Sequence, residues 1–168
     1  MAYLTIEEIR TLLTECEKSR SKDLITIVKI CLATGARWSE AEGLKGNQIR
    51  AGQIIYVKTK GKKNRAVPIT EKLQAELPPN RKAELLFKPC YSAFRKAMQR
   101  AGIETPAGQL THVLRHTFAS HFMMNGGNIL VLQRILWHTD IKVTMRYSHF
   151  APDHLSEAIL LNPLTRIE

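Results

Sequence analysis

Apolar positions in this chain recur mostly at helical spacing. Thr5 followed by Glu8 has the arrangement of a capping box and predicts a helix through Leu12 and Leu13 to about Lys18. Leu24, Ile27, Val28, Cys31 and Leu32 form the stripe of a second, largely buried helix that stops at Thr34-Gly35, where glycine supplies positive φ. A short helix is expected over Ala36–Glu42. The period then changes: Gln53–Thr59 and Arg65–Ile69 are β-prone runs around Lys60-Gly-Lys-Lys-Asn64, a hairpin signal. Thr70 predicts a helix to about Leu77, which Pro78-Pro79 breaks, and Tyr91–Ala101 reads as an amphipathic helix closed by Gly102. From Leu110 to Phe122, Leu110, Leu114, Phe118 and Phe122 recur every fourth position, and Gly126-Gly127 ends that helix. A short helix to Trp137 follows, then one capped by Thr139 that carries Tyr147, then a last one from Asp153 with Leu155, Ala158 and Ile159 on one side. The expected fold class is mainly α with a small antiparallel β-sheet.

Composition narrows the class. At 168 residues and 44% hydrophobic content, one compact domain over residues 1–168 is expected, with no internal repeat or linker. The net charge of +10 and pI near 9.8 point to a polyanionic partner. Cys16, Cys31 and Cys90 are odd in number and contain no C-x-x-C pair, so they read as reduced thiols of a cytoplasmic protein. No signal peptide and no run of membrane-spanning length is present, which argues against a membrane protein.

The polar residues set into these helices carry the chemistry. His112, Arg115, His116 and Ala119 fall on one helical face at i, i+3, i+4 and i+7. His138 and Tyr147 follow on tight helical turns, so His112, Arg115, His138 and Tyr147 form an anion site with a phenol beside it. Arg37 lies at a turn-to-helix junction, with Glu40 three residues on and able to pair with it. Lys58, Lys60, Lys62, Lys63 and Arg65 place five basic residues in eight positions at the hairpin. Arg95, Lys96 and Arg100 lie on polar faces of their helix. The H-x-x-x-H of His112 and His116 has the spacing of a zinc site, but Val113 stands where a metalloprotease carries glutamate, and no cysteine pair or acidic cluster supports a metal. No metal or other cofactor is expected. His116 and His121 read as structural, and His149 and His154 as exposed.

The phrase Thr34-Gly-Ala-Arg-x-x-Glu40, the K-G-x-K-x-R-x-V-P run from Lys60 to Pro68, the H-x-x-R of His112 to Arg115 with the following His-Thr-Phe-Ala-Ser-His, and Leu136-x-His138 with Tyr147 nine residues on together resemble the tyrosine recombinases, the phage integrase family. The flavour is that of integrases of contractile-tailed temperate phages, and the likeness covers about residues 5–162. One departure is visible: Trp137 stands where the family commonly has glycine before the histidine.

The resemblance implies metal-independent cleavage and rejoining of duplex DNA at attachment sites, for phage integration and excision, through a 3′-phosphotyrosyl intermediate. Tyr147 would be the nucleophile. Arg37, Arg115 and His138 would neutralise the phosphate oxygens, His112 would handle protons, and Lys60 would be the general acid, with Lys62 and Lys63 as fallback. Glu40 would support Arg37, while Lys58, Lys62, Lys63, Arg65, Arg95 and Lys96 would contact DNA. It further implies a homo-oligomer on DNA, a tetramer, in a bacterial cytoplasm. The family's N-terminal DNA-clamping and arm-binding domains are expected to be absent, leaving weak, nonspecific DNA binding. The alternatives are a nicking-closing enzyme of type IB topoisomerase kind, which uses similar chemistry, and a noncatalytic basic DNA-binding module.

Overall fold

Thr5 opens α1 (Ile6–Glu17) as its spacing predicts: its hydroxyl accepts from the Glu8 N–H at 3.2 Å, and the Glu8 carboxylate accepts from the Thr5 N–H at 2.8 Å. Both donors would otherwise be orphans of the first turn. The computed structural model describes residues 2–57 and 64–167. Its central element is α2 (Leu24–Thr34), which buries Leu24, Ile27, Val28, Ile30, Cys31 and Thr34 and so faces protein on most sides. α1, α3 (Trp38–Glu42), α4 (Glu71–Glu76) and α6 (Val113–Met124) all pack against it. α5 (Tyr91–Arg100) packs on α1, where Arg100 donates to the Glu15 carboxylate at 3.0 Å and to the Glu15 carbonyl at 2.9 Å. Arg100 thus ties α5 to α1 while its side chain stays exposed.

The sheet has three antiparallel strands in the order β1 (Ile49–Arg50), β2 (Gln53–Tyr56) and β3 (Arg65–Pro68). β1 is two residues long, too short to show a period, and the turn Ala51-Gly52 joins it to β2 with φ of 49° and 75°. β2 and β3 pair from Gln53↔Pro68 to Tyr56↔Arg65. Proline sits on the outer strand, where a missing N–H leaves no ladder bond unmade. The hairpin tip with Lys58, Lys60, Lys62 and Lys63 lies outside the described residues.

Five boundaries differ from the sequence reading. α3 begins at Trp38 because Arg37 keeps extended backbone as its N-cap, and α6 begins at Val113, with His112 as its N-cap, rather than at Leu110. Asp140, not Thr139, caps α8 (Ile141–Met145), its carboxylate accepting from the Lys142 N–H at 2.9 Å. Tyr147 lies just past α8 at the start of a 3₁₀ turn over Ser148–Phe150. The last helix, α9, covers Glu157–Leu161, and Leu155, Ile159, Leu160, Leu161, Leu164 and Ile167 are all exposed. The core divides into a large cluster around α2 and a smaller one of Ala119, Met123, Leu132, Leu136 and Tyr147, the last pair of helical residues coming from α7 (Ile129–Leu136). The three cysteines are buried and free, and burial pushes Cys16 up to about 12 and Cys90 to about 11. Thiols held so high carry little thiolate and are packing groups. Among the described residues no helix is long and apolar enough to cross a membrane.

Candidate active site

The site is assembled around one arginine. Arg115, in the first turn of α6, is 6% exposed, and its guanidinium donates to the Gly35 carbonyl at 2.7 Å and to the Leu136 carbonyl. These oxygens stand at the C-terminal ends of α2 and α7, where the last carbonyls lack helical partners and the helix dipoles are negative. A cation there satisfies two orphan acceptors at once and is fixed by two helices. Glycine at 35 is required twice over. Its φ is 70°, and a Cβ there would lie 2.6 Å from a Phe118 ring carbon and 2.8 Å from a Leu136 methyl. Burial, then the charges of Arg37 and Arg65, lower the Arg115 pKa to about 10, so it remains a cation at neutral pH.

His138 stands beside it, Nε2 lying 3.4 Å from Arg115 Nη2 while Nδ1 is 2.7 Å from the Thr144 hydroxyl. Arginine only donates, so in this state Nε2 accepts and Nδ1 carries the proton. The Thr144 hydroxyl, fully buried, can also donate, which holds the ring in the same place in the other tautomer. The turn before His138 depends on Trp137, whose φ of 57° and ψ of 44° are left-handed. This explains why glycine suits that position in the family the sequence resembles. Burial, then Arg115, Arg37 and Arg146, push His138 down to about 4, so the ring is neutral.

Tyr147 is 2% exposed and belongs to the smaller core cluster. Burial raises its pKa, and the positive charges of Arg115 and Arg146 pull the other way. Its hydroxyl lies 2.6 Å from His116 Nδ1. His116 was expected to be structural, and the contact is invisible in the sequence because the two residues are 31 positions apart. The i+4 spacing that places His116 one turn beyond His112, on the Arg115 side of α6, was the available signal. His112 is exposed, with its ring centroid 6.1 Å from that of His116. His121 is structural as expected, its Nε2 bonding the Leu4 carbonyl at 2.7 Å, and His149 and His154 are exposed.

Arg37 and Glu40 are arranged differently from the simple pair the spacing suggests. Arg37 Nη1 lies 3.9 Å from Glu40, and the arginine side chain is half exposed. Glu40 instead accepts two hydrogen bonds from Arg65, at 2.8 and 3.0 Å, and one from the Arg37 N–H at 2.9 Å. Burial raises the Glu40 carboxyl, but the bonds and charge of Arg65, helped by Arg37, win and hold it below the usual range. Arg65, expected to contact DNA, is 8% exposed here, its guanidinium lies 4.5 Å from the Tyr56 ring centroid, and its bidentate fork is engaged by Glu40. Tyr56 in turn hydrogen-bonds Thr34 at 2.8 Å. The chain Thr34, Tyr56, Arg65, Glu40 thus locks the base of the hairpin to the turn that presents Arg37. A cleft of about 950 Å3 between β3 and α7 is lined by Arg65, Gln133, Arg134, Trp137 and His138. Arg95 and Lys96 are exposed on α5 and take no part in the bonds that hold this site.

Comparison with known proteins places the chain. The sequence profile of the phage integrase family matches residues 2–80 and 77–154. The integrase of Escherichia phage 186 is 64% identical over 167 residues, covering 99% of this chain and 49% of that protein. The chain spans about half the length of the curated relatives it matches. The catalytic domain of bacteriophage HP1 integrase superposes with a TM-score of 0.93 at 56% identity, covering 100% of this chain and 99% of that one. XerH site-specific recombinase, in a post-cleavage complex with a palindromic difH substrate, matches with a TM-score of 0.68 at 26% identity, over 95% of this chain and 53% of that one. Sequence and fold agree over nearly the whole length, and the chain belongs to the phage integrase family of tyrosine recombinases.

Proposed function

We propose that this chain is the catalytic part of a phage-type integrase, which cuts and rejoins DNA strands at attachment sites through a 3′-phosphotyrosyl intermediate on Tyr147. The observation that carries the reading is the buried Tyr147 hydroxyl beside a neutral histidine and within the field of Arg115 and Arg146. Attack on a phosphodiester builds charge on the non-bridging oxygens, and pre-placed guanidinium forks stabilise it without reorganising at the moment of reaction. Arg115 is already fixed by two backbone carbonyls, and Arg37 is exposed at its junction, free to turn onto a phosphate. His138 donates to the same phosphate in the Nε2–H tautomer, with Thr144 donating to Nδ1. The Oη–P bond forms as the P–O5′ bond breaks, and the departing O5′ takes a proton from Lys60 as general acid. The likeness to XerH, solved with its substrate, supports duplex DNA as partner. The exposed apolar residues of 153–167 support association of several copies on that DNA.

The test needs no known target. Incubating the chain with nicked duplexes of randomised sequence should trap a covalent adduct on a denaturing gel, mapped by peptide sequencing to Tyr147. Tyr147→Phe should give none, and EDTA should leave the yield unchanged. Lys60→Ala should lose about 10²–10⁴ in rate, as for a lost general acid, and regain most of it when sulfur replaces the 5′-bridging oxygen. Absence of any adduct from the unaltered chain, or an adduct elsewhere than Tyr147, would overturn the reading.

A further inference from the structure

We infer that His116, rather than His112, is the base that takes the Tyr147 proton when the tyrosine attacks DNA. The inference rests on the proposed cleavage reaction and adds a residue to it. Its ground is geometric. Among the described residues His116 is the hydrogen-bond partner of the Tyr147 hydroxyl, with Nδ1 at 2.6 Å, inside the range a proton-transfer pair requires. A phenol that is 2% exposed has no ready access to bulk water as acceptor, so its proton leaves through that contact. His112, the residue expected to handle protons, is exposed, with its ring centroid 6.1 Å from that of His116, while the Tyr147 hydroxyl bonds His116.

The electrostatics suit a base that works only with DNA in place. Burial, followed by the positive charges of His112, Arg146 and Arg115, keeps His116 neutral, its pKa lowered to about 4. Its Nδ1 lone pair is then available to the phenol. In the empty site the same cations oppose a second positive charge on the imidazole. A bound phosphodiester brings negative charge to Arg115 and its neighbours and raises the proton affinity of His116. In the cleavage step the Tyr147 O–H bond breaks and its proton passes to His116 Nδ1, while Oη–P forms and P–O5′ breaks. In rejoining, the 5′-hydroxyl attacks and gives its proton back to the group that protonated O5′ in cleavage, P–O5′ forms as P–Oη breaks, and His116 returns its proton to Tyr147.

The test uses His116→Asn, whose short amide keeps a hydrogen-bond acceptor near the Nδ1 position but takes up no proton. The substrate is a duplex recovered from the adduct selection, with sulfur at the 5′ bridge so that leaving-group protonation does not limit the rate. Single-turnover adduct formation by the unaltered chain should rise with pH and level off above the titration of the base. His116→Asn should be slower by about 10²–10⁴, with normal noncovalent DNA binding. Its rate should climb without a plateau into the alkaline range. His116→Gln, a second variant, should behave alike, and His116→Gly should regain activity with added imidazole. A rate within threefold of the unaltered chain overturns the inference, as does a slower rate that keeps the plateau, which would make His116 a positioning residue. A His112→Asn variant that alone loses the plateau overturns it too. An unaltered chain that forms no adduct at all counts against the cleavage reaction and not against the choice of base.

Discussion

Two histidines in this site are held neutral by burial among cations, and that has a consequence for stability. His116 and His138 titrate at about 4 in the folded protein, against 6.5 for the free side chain. Between those values the unfolded chain binds more protons than the folded one, so stability rises with pH across the window and is lost as pH falls through it. Glu40 acts in the same direction at lower pH. Its depressed folded pKa contributes stability that is complete above the unfolded value and disappears as pH falls through the folded one. The urea midpoint should therefore drop steadily from pH 7 to pH 4. A His116→Asn, His138→Asn double variant should show a shallower drop over that interval than the unaltered protein. Parallel curves would mean that neither ring is held neutral by the fold.

Helix ends position the candidate site residues more than helix interiors do. Arg115 is gripped by the terminal carbonyls of α2 and α7, Arg37 and His112 are N-caps, and His138 and Tyr147 each stand two residues past the end of a helix. Trp137 closes α7 in the left-handed region, and only through that turn does the His138 N–H reach the Gln133 carbonyl, at 3.1 Å. A side chain in this conformation costs about 1–2 kcal/mol that glycine avoids. Comparing Trp137→Ala with Trp137→Gly isolates this cost, because both lose the indole and its packing near Arg65. The glycine variant should be the more stable by about 1 kcal/mol in urea unfolding, the gain at left-handed φ slightly reduced by glycine's freer unfolded state. An alanine variant of equal or greater stability would show that the turn is not held in this conformation.

Residues beyond Ser148–Phe150 extend the fold without adding to its core. Leu155, Ile159, Leu160, Leu161, Leu164 and Ile167 are between 57% and 80% exposed, more apolar surface on one short segment than a solitary domain needs. The sequence predicts a last helix from Asp153 with Leu155, Ala158 and Ile159 on one side; the helix instead covers Glu157–Leu161, Leu155 precedes it, and among the described residues these side chains stay exposed. Deleting residues 153–168 should leave the unfolding free energy within about 0.5 kcal/mol of the full chain, since little is buried there. The same deletion should abolish association on adduct-forming DNA, measured as mass by sedimentation. A marked loss of stability, or unchanged mass on DNA, would show that the segment serves its own domain.

Much of this was legible along the chain. Short-range signals suffice for elements whose causes are local: the Thr5–Glu8 cap, the buried stripe of α2 ending at Gly35, the Thr70 cap and the paired runs of β2 and β3 all lie where the spacing places them. The order of Arg37, His112, Arg115, His138 and Tyr147 was equally readable, because family motifs are themselves linear. What the chain could not disclose are partnerships between residues far apart in sequence and competing for the same group. Glu40 had two arginines within reach, and the one 25 positions away won because strand pairing buries Arg65 against Tyr56 and leaves its charge in need of a carboxylate, while Arg37 stays in water. His116 looked like a packing histidine until the turn after α8 folded back over α6 and set the Tyr147 hydroxyl against it. Local propensity chooses helices and strands residue by residue, but which buried polar groups satisfy one another is settled only when the elements close on a shared core.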